Sequence, residues 1–331
     1  MFHRTLFALC LLAGLSCSAS ADENKSYLLT TGTTGGTYYP VGVALATLSK
    51  VKLQPTHGIN ISAINSAGSA ENIRLIREGE AQFAIVQGIF GHYAKTGTGP
   101  LAAEGPQTHL RSVSLLWTNV EQWVMRAEDV QTGTIADMAL LKGRPVALGK
   151  KNSGAIHSNR HVLANLGLNI DDDFRLFYGG YGPSASAMQD GKVKAISAPA
   201  GAPTGAVTKL FAADKGKVRL LSFTPEQAKK ADGGLGLWSP YTVPAGTYPG
   251  QTDDVITIAH PNFLAVDEGV DEETVYLFTK TIYENLGFLQ AIHTATKTMS
   301  LDNAITGLPV PLHPGAARYY REVGLLKTDA E

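Results

Sequence analysis

The stretch Thr30 to Gly42, reading TTGTTGGTYYPVG, sets a glycine-rich turn between an apolar, strand-like segment and a helix-like one. Val41, Leu45 and Leu48 recur at the three-to-four spacing of a buried helix face, and Pro40 falls in the first turn, where a missing N–H does least harm. A helix starts with several N–H groups that lack intrahelical acceptors and with the positive end of its dipole, worth about 0.3–1 kcal/mol to an anion placed there. Gly35 and Gly36 leave the main chain open to such a ligand, and Thr33, Thr34 and Thr37 add hydroxyls. Glycines serve turns that bind nothing as well, so an anion cradle and a plain strand-to-helix turn both fit this run.

The design recurs in the second half of the chain. After Asp137 to Gly143 a strand is expected at Pro145 to Gly149, then a loop Lys150-Lys151-Asn152, then Ser153-Gly154 and a helix to about Asn165. Elsewhere short aliphatic runs alternate with helical patterns, as in Ile59 to Ile64, Ala70 to Arg77 and Gln82 to Gln87, which is the rhythm of an α/β fold. Ligands of open α/β sheets bind outside the carboxyl ends of strands, so two such ends facing each other would enclose a solute. The expectation is two lobes, each a mixed sheet flanked by helices, joined by a hinge with a ligand cleft between them. Residues 22–126 and 246–331 form lobe I and residues 127–245 lobe II. Val255 to Ala259 and Phe263 to Val266 read as return strands able to pair with Glu121 to Arg126. Glu272 to Glu322 reads as helices, with Val275, Phe278, Ile282 and Leu286 at helical spacing and a break at Pro309 to Pro314.

The first 21 residues have the form of a cleavable signal peptide: Arg4, an apolar stretch Leu6 to Leu15, then Ala19-Ser20-Ala21, with cleavage expected near Ala21/Asp22. Ten apolar residues are too few to cross a bilayer core, which needs about twenty, and a lipidated Cys17 fits the preceding residues poorly. Both cysteines, Cys10 and Cys17, lie in this leader, so the mature chain is expected to carry neither disulfide nor thiol nucleophile. The formal charge of -1 becomes -2 once Arg4 is removed, and no Lys/Arg run in the mature chain is longer than the pair Lys150-Lys151, which argues against a nucleic-acid partner. The sequence has no G-x-S-x-G elbow, P-loop, G-x-G-x-x-G fingerprint or C-x-x-C pair, so no catalytic residue and no cofactor is assigned.

Candidate ligand-binding residues follow from the turns. The first turn offers Thr34, Gly35, Gly36, Thr37 and Tyr38, with one of Tyr38 and Tyr39 expected to pack beneath the loop. Ser69 reads as an N-cap, and Gln87 ends a strand with an amide that can donate and accept. Ser153, Gly154 and Ala155 open the second turn, and Tyr181 follows Gly179-Gly180, either closing over a ligand or packing at a glycine turn. Lys150, Lys151, His157 and Arg160 stand near enough to the second turn to pair with a second carboxylate. His157 and His161 have the spacing of a helical metal pair, but without the surrounding ligands no metal is assigned.

Six stretches in order resemble the TAXI family of TRAP-transporter solute receptors, which are periplasmic substrate-binding proteins of type II-like fold. They are TGTTGGTYYPVG from Thr31, GSAENIRLIREGEAQFAIVQ from Gly68, LKGRPVALGKKNSG from Leu141, AGAPTGAV from Ala200, VPAGTYPGQ from Val243 and PVPLHPGAARYYREVGL from Pro309. The resemblance implies that the first turn faces the cleft, that Ser69 touches the solute, and that Gly179 to Tyr181 and Ala198 to Pro203, including Gly201 and Pro203, line it. It implies a periplasmic receptor for a small carboxylate: a dicarboxylate, a glutamate-like amino acid or a 2-oxo acid. The carboxylate would pass to small and large membrane permease subunits, separate or fused, driven by an ion gradient. Ala155 departs from the threonine common after Ser-Gly in the family, which removes one hydroxyl. A periplasmic hydrolase or lyase, or a sensory receptor, remains the rival reading on the same two-lobed fold.

Overall fold

A computed structural model describes residues 24–214 and 216–327. The expected signal peptide and both cysteines lie outside the described residues. The strands, in chain order, are β1 (Lys25–Thr30), β2 (Ile59–Ile64), β3 (Phe83–Gln87), β4 (Leu110–Val120), β5 (Trp123–Arg126), β6 (Pro145–Gly149), β7 (Arg175–Tyr178), β8 (Ala195–Ser197), β9 (Val218–Leu220), β10 (Ser239–Val243) and β11 (Val255–Asp267). The helices are α1 (Tyr38–Leu48), α2 (Gln54–His57), α3 (Ser69–Arg77), α4 (Gly88–Thr96), α5 (Gly154–Asn165), α6 (Ile170–Asp173), α7 (Tyr181–Gln189), α8 (Gly205–Asp214), α9 (Pro225–Asp232), α10 (Glu272–Glu284), α11 (Leu286–Ile292) and α12 (Pro314–Glu322).

These elements form two mixed sheets flanked by helices, one per lobe. The first runs β10-β11-β3-β1-β2, with β4 also paired to β11, and the second runs β7-β6-β8-β5-β9. The two share a plan. In each, the strand that feeds a glycine turn, β1 or β6, lies between the next two parallel strands, and an antiparallel strand, β11 or β5, closes the far side. All six parallel strands therefore direct their carboxyl ends, and the loops that follow, toward the junction of the lobes.

The strands β3 and β6 are apolar almost throughout because both faces are covered by helices. Behind the first sheet, Leu45, Phe83, Val266, Val275, Phe278 and Ile282 interdigitate with no exposure, each contributing about 1.5–3 kcal/mol of burial. The apolar face expected to run on to Leu286 is divided, since α10 stops at Glu284 and α11 begins at Leu286.

The return strands differ from the sequence expectation in two respects. Val255 to Asp267 is one strand, and it pairs with β4, β3 and β10, while Trp123 to Arg126 belongs to the second sheet. The polar interruption His260-Pro261-Asn262 does not end β11. Its register with β4 shifts between Pro261 and Phe263, at the residue that has no N–H to give to a ladder. Two bonds, from the N–H of Glu121 to the carbonyl of Ile258 (2.9 Å) and from Thr257 Oγ1 to the carbonyl of Glu121 (2.7 Å), join the expected partners at the point where the chain leaves one sheet for the other. Among the described residues no helix is long and apolar enough to cross a membrane.

Candidate functional site

Every parallel strand end contributes to one cavity between the lobes, about 440 Å³ with its open mouth included. After β1 come Gly32, Thr33, Gly36, Thr37 and Tyr38. After β2 come Ala67, Gly68 and Ser69, and Gln87 ends β3. The second lobe supplies Lys150, Ser153, Gly154 and Ala155 after β6, Gly180 and Tyr181 after β7, and Pro199 and Ala200 after β8. Four helices of nine or more residues, α1, α3, α5 and α7, start at this wall. First-turn amides have no acceptor inside their own helix, so these starts surround the cavity with N–H donors and positive dipole ends. No Asp, Glu or His side chain is part of the wall, and Lys150 is its one cation among the described residues.

Of the residues singled out in the sequence, Gly36, Thr37, Tyr38, Ser69, Gln87, Ser153, Gly154, Ala155 and Tyr181 meet at this cavity. Thr34, Gly35, Gly201 and Pro203 stand outside its wall. Thr34 is exposed, whereas Gly35 and Gly201 join the lobes through main-chain carbonyls. The Gly35 carbonyl accepts from the N–H of Ala206 (3.1 Å), and the Gly201 carbonyl accepts from Thr37 Oγ1 (2.8 Å). A third bond across the cleft runs from the N–H of Glu71 to the carbonyl of Asn152 (3.2 Å).

The expectation that Ser69 caps its helix is corrected. Gly68 holds the N-cap with φ 118° and ψ -157°, a conformation that favours glycine, and Ser69 is the first helical residue. The freed Ser69 Oγ instead accepts from the N–H of Gln87 (3.0 Å) and so fixes the end of β3. Ser153 is a true cap, its Oγ accepting from the N–H of Ile156 (3.1 Å).

Tyr38 is the tyrosine that packs beneath the first turn. Its ring meets Trp117 edge-on and its hydroxyl donates to Asn262 Oδ1 (2.5 Å). The Tyr181 hydroxyl donates to the Pro199 carbonyl (2.6 Å). Burial pushes both phenols well above their ordinary range, so both stay neutral with their protons committed elsewhere. Thr37 likewise spends its proton on Gly201. The donors left for a guest are chiefly main-chain amides and Lys150. One acceptor stands out: Gln87 Oε1 is buried and has no hydrogen-bond partner among the described residues.

His157 and His161 do not act together. His157 lies edge-on to Phe90, and burial beside the Arg160 guanidinium lowers it to about 4. His161 stacks on Trp238 at 5.1 Å and its Nε2 meets the Asp232 carbonyl. Among the described residues no three His, Cys, Asp or Glu side chains gather as metal ligands.

Gly32 and Ala67 were not legible as wall residues. Gly32 and Ala67 lie in loops before helix starts, which sequence marks only loosely. Pro199 and Ala200 fall in the stretch Ala198 to Pro203 that the resemblance set along the cleft, and they stand at the cavity where Ala200 bridges Val120 as the chain crosses between sheets.

The NMT1-like family is matched over residues 29–324. Among solved structures, a protein of Bordetella bronchiseptica RB50 is 14% identical over 94% of this chain and 92% of its own, with a TM-score of 0.53. The periplasmic binding protein BugD is 14% identical over 91% of this chain and 95% of its own, with a TM-score of 0.54. A Xanthomonas citri protein bound to ATP is 10% identical over 90% and 95%, with a TM-score of 0.50. At these identities the likeness is one of fold, that of two-lobed periplasmic binding proteins.

Proposed function

From the premise that the chain belongs to the NMT1-like family, we propose that it is a periplasmic solute receptor that closes its lobes around a small carboxylate. The carrying observation is the convergence of four helix starts on a cavity whose wall, among the described residues, has no acidic side chain. Such a wall stabilises negative charge through main-chain dipoles without a buried counter-ion and repels none of it. The leader-like first 21 residues and the fold of BugD support the periplasmic setting.

Closure follows from the bonds that span the cleft. A ligand held by amides from both lobes favours the closed arrangement by the difference between its affinities for the closed and open forms. The six stretches that resemble TAXI receptors support delivery to TRAP permease subunits, and within that reading the solute is a dicarboxylate, a glutamate-like amino acid or a 2-oxo acid. Turnover is not what this wall is built for. Ser69 and Ser153 accept from main-chain N–H groups, and among the described residues no histidine or carboxylate of the wall stands by to activate either.

The test is calorimetric titration of protein unfolded, stripped and refolded, against carboxylates of two to six carbons. Binding tighter than about millimolar is expected for at least one of them, and its absence across the series overturns the reading.

A further inference from the structure

Four basic side chains stand near the second turn, and the structure separates them. Lys151 Nζ lies 5.0 Å over the Tyr178 ring. Arg160 is held by Asp171 through Nε to Oδ2 (3.0 Å) and Nη2 to Oδ1 (2.9 Å). His157 is packed against Phe90 and neutral. Lys150 alone belongs to the cavity wall. It is exposed, and while its main-chain carbonyl accepts from the N–H of Ser153 (3.1 Å), its side chain has no ion pair or hydrogen bond among the described residues.

The remaining wall is neutral, and its donors are main-chain amides fixed at the helix starts. Those amides cannot follow a second anionic group toward the mouth, whereas an ammonium on a four-carbon stem can. At an exposed position the lysine is still hydrated, so pairing there costs less desolvation than pairing on the cavity floor.

We propose that Lys150 is the specificity-determining residue of this site, pairing with the second carboxylate of a diacid whose first carboxylate rests on the helix starts. This rests on the carboxylate reading of the cavity. The ligand class it selects is a short dianion with its charges at opposite ends, in preference to a monoacid of the same length. Lys150 is the first residue past β6, and the next crossing of the cleft, at Asn152, draws this loop toward the opposite lobe. Closure thereby brings the ammonium over the mouth.

The experiment compares diacids with monoacids of the same carbon chain on ligand-stripped protein: glutarate, 2-oxoglutarate and L-glutamate against pentanoate, 2-oxopentanoate and L-norvaline. Wild type is expected to prefer at least one diacid to its monoacid. Lys150→Met is expected to weaken that diacid by about tenfold to a hundredfold, the range of a charge-assisted hydrogen bond, and to change monoacid binding by less than about threefold. Lys150→Arg should keep the preference, and Lys151→Met should leave it intact. If the preference survives in Lys150→Met, or if that variant weakens both series equally, the assignment of Lys150 falls while the carboxylate site stands. If neither series binds wild type, the carboxylate reading fails and takes the Lys150 assignment with it.

Discussion

Thr37 Oγ1 donates a 2.8 Å hydrogen bond to the main-chain carbonyl of Gly201, tying the start of α1 in one lobe to the loop after β8 in the other. Both groups are buried. Thr37→Val keeps the side-chain shape but removes this bond between the lobes, leaving that carbonyl only the Thr204 hydroxyl of its own loop (3.1 Å) as a donor. The loss of one such hydrogen bond costs about 0.5–1.5 kcal/mol. The variant is therefore expected to bind its acid about threefold to tenfold more weakly by calorimetry, while Thr37→Ser stays near wild type. Equal affinity for Thr37→Val and wild type would remove this bond from the closing mechanism.

Gly35 offers a steric test of the same closure. A Cβ at this position would meet the main-chain nitrogen of Gly182 at 2.9 Å and the Ala206 methyl at 3.3 Å, both across the cleft. Backbone cannot yield without the lobes separating. Gly35→Val should fold, since the clash exists only between lobes, and its melting temperature without ligand should stay within about 2 °C of wild type. In solution scattering, adding ligand should leave its dimensions unchanged where wild type contracts. Normal contraction in the variant would show that the two turns do not approach as described.

Gln87 sets stability against binding. Its Oε1 is buried at the cavity and unsatisfied among the described residues, a state that costs the resting protein about 1–3 kcal/mol. Gln87→Met preserves bulk and removes the orphan acceptor. The expected outcome is a higher melting temperature without ligand and at least a tenfold loss of affinity for any acid carrying a donor beside its carboxylate. A variant that is less stable and binds normally would mean that Gln87 is merely structural.

Much of this geometry could be read from the chain because local chemistry forced it. Gly35-Gly36 before Pro40, and Ser153-Gly154 after a five-residue strand, each specify strand, turn and helix in one short window, and both turns reach the cavity. What escaped depends on where the lobes meet. Gly154 reads as a helix starter, yet an added Cβ there would sit 2.2 Å from Gln87 of the other lobe. Ser69 reads as a cap, but Gly68 takes that role and leaves the serine to hold β3. Tyr181 was equally consistent with a lid or a packing residue. Its ring lies against Gly36 and its proton is given to Pro199, so it serves as wall and spacer together. Glu121 went unremarked among the candidates, because nothing in NVEQW announces a carboxyl with no exposure.

That carboxyl sits where β4 passes into β5. Glu121 Oε1 accepts from Ser158 Oγ of α5 and from Trp238 Nε1, each at 3.3 Å, and lies 3.8 Å from His260 Nε2 on β11, while Oε2 has no partner among the described residues. Burial is the main cause that raises Glu121 from 4.5 to about 7, and burial lowers His260 from 6.5 to about 4, so near neutral pH the histidine is uncharged and gives the carboxylate no counter-ion. The folded protein holds the Glu121 proton more tightly than the unfolded chain does. Its contribution to stability is therefore full below about pH 4.5 and lost as pH rises through about 7. His260 has the opposite sign, its contribution being present above about pH 6.5 and lost as pH falls toward 4. Glu121→Gln keeps the two acceptor bonds and removes the titration. It should match wild type near pH 5 and exceed it by about 1–3 kcal/mol at pH 8.5, read from denaturant unfolding at each pH. A wild-type profile flat between pH 6 and 8.5, or a Glu121→Gln profile parallel to it, would mean that this carboxyl keeps its ordinary acidity despite its burial.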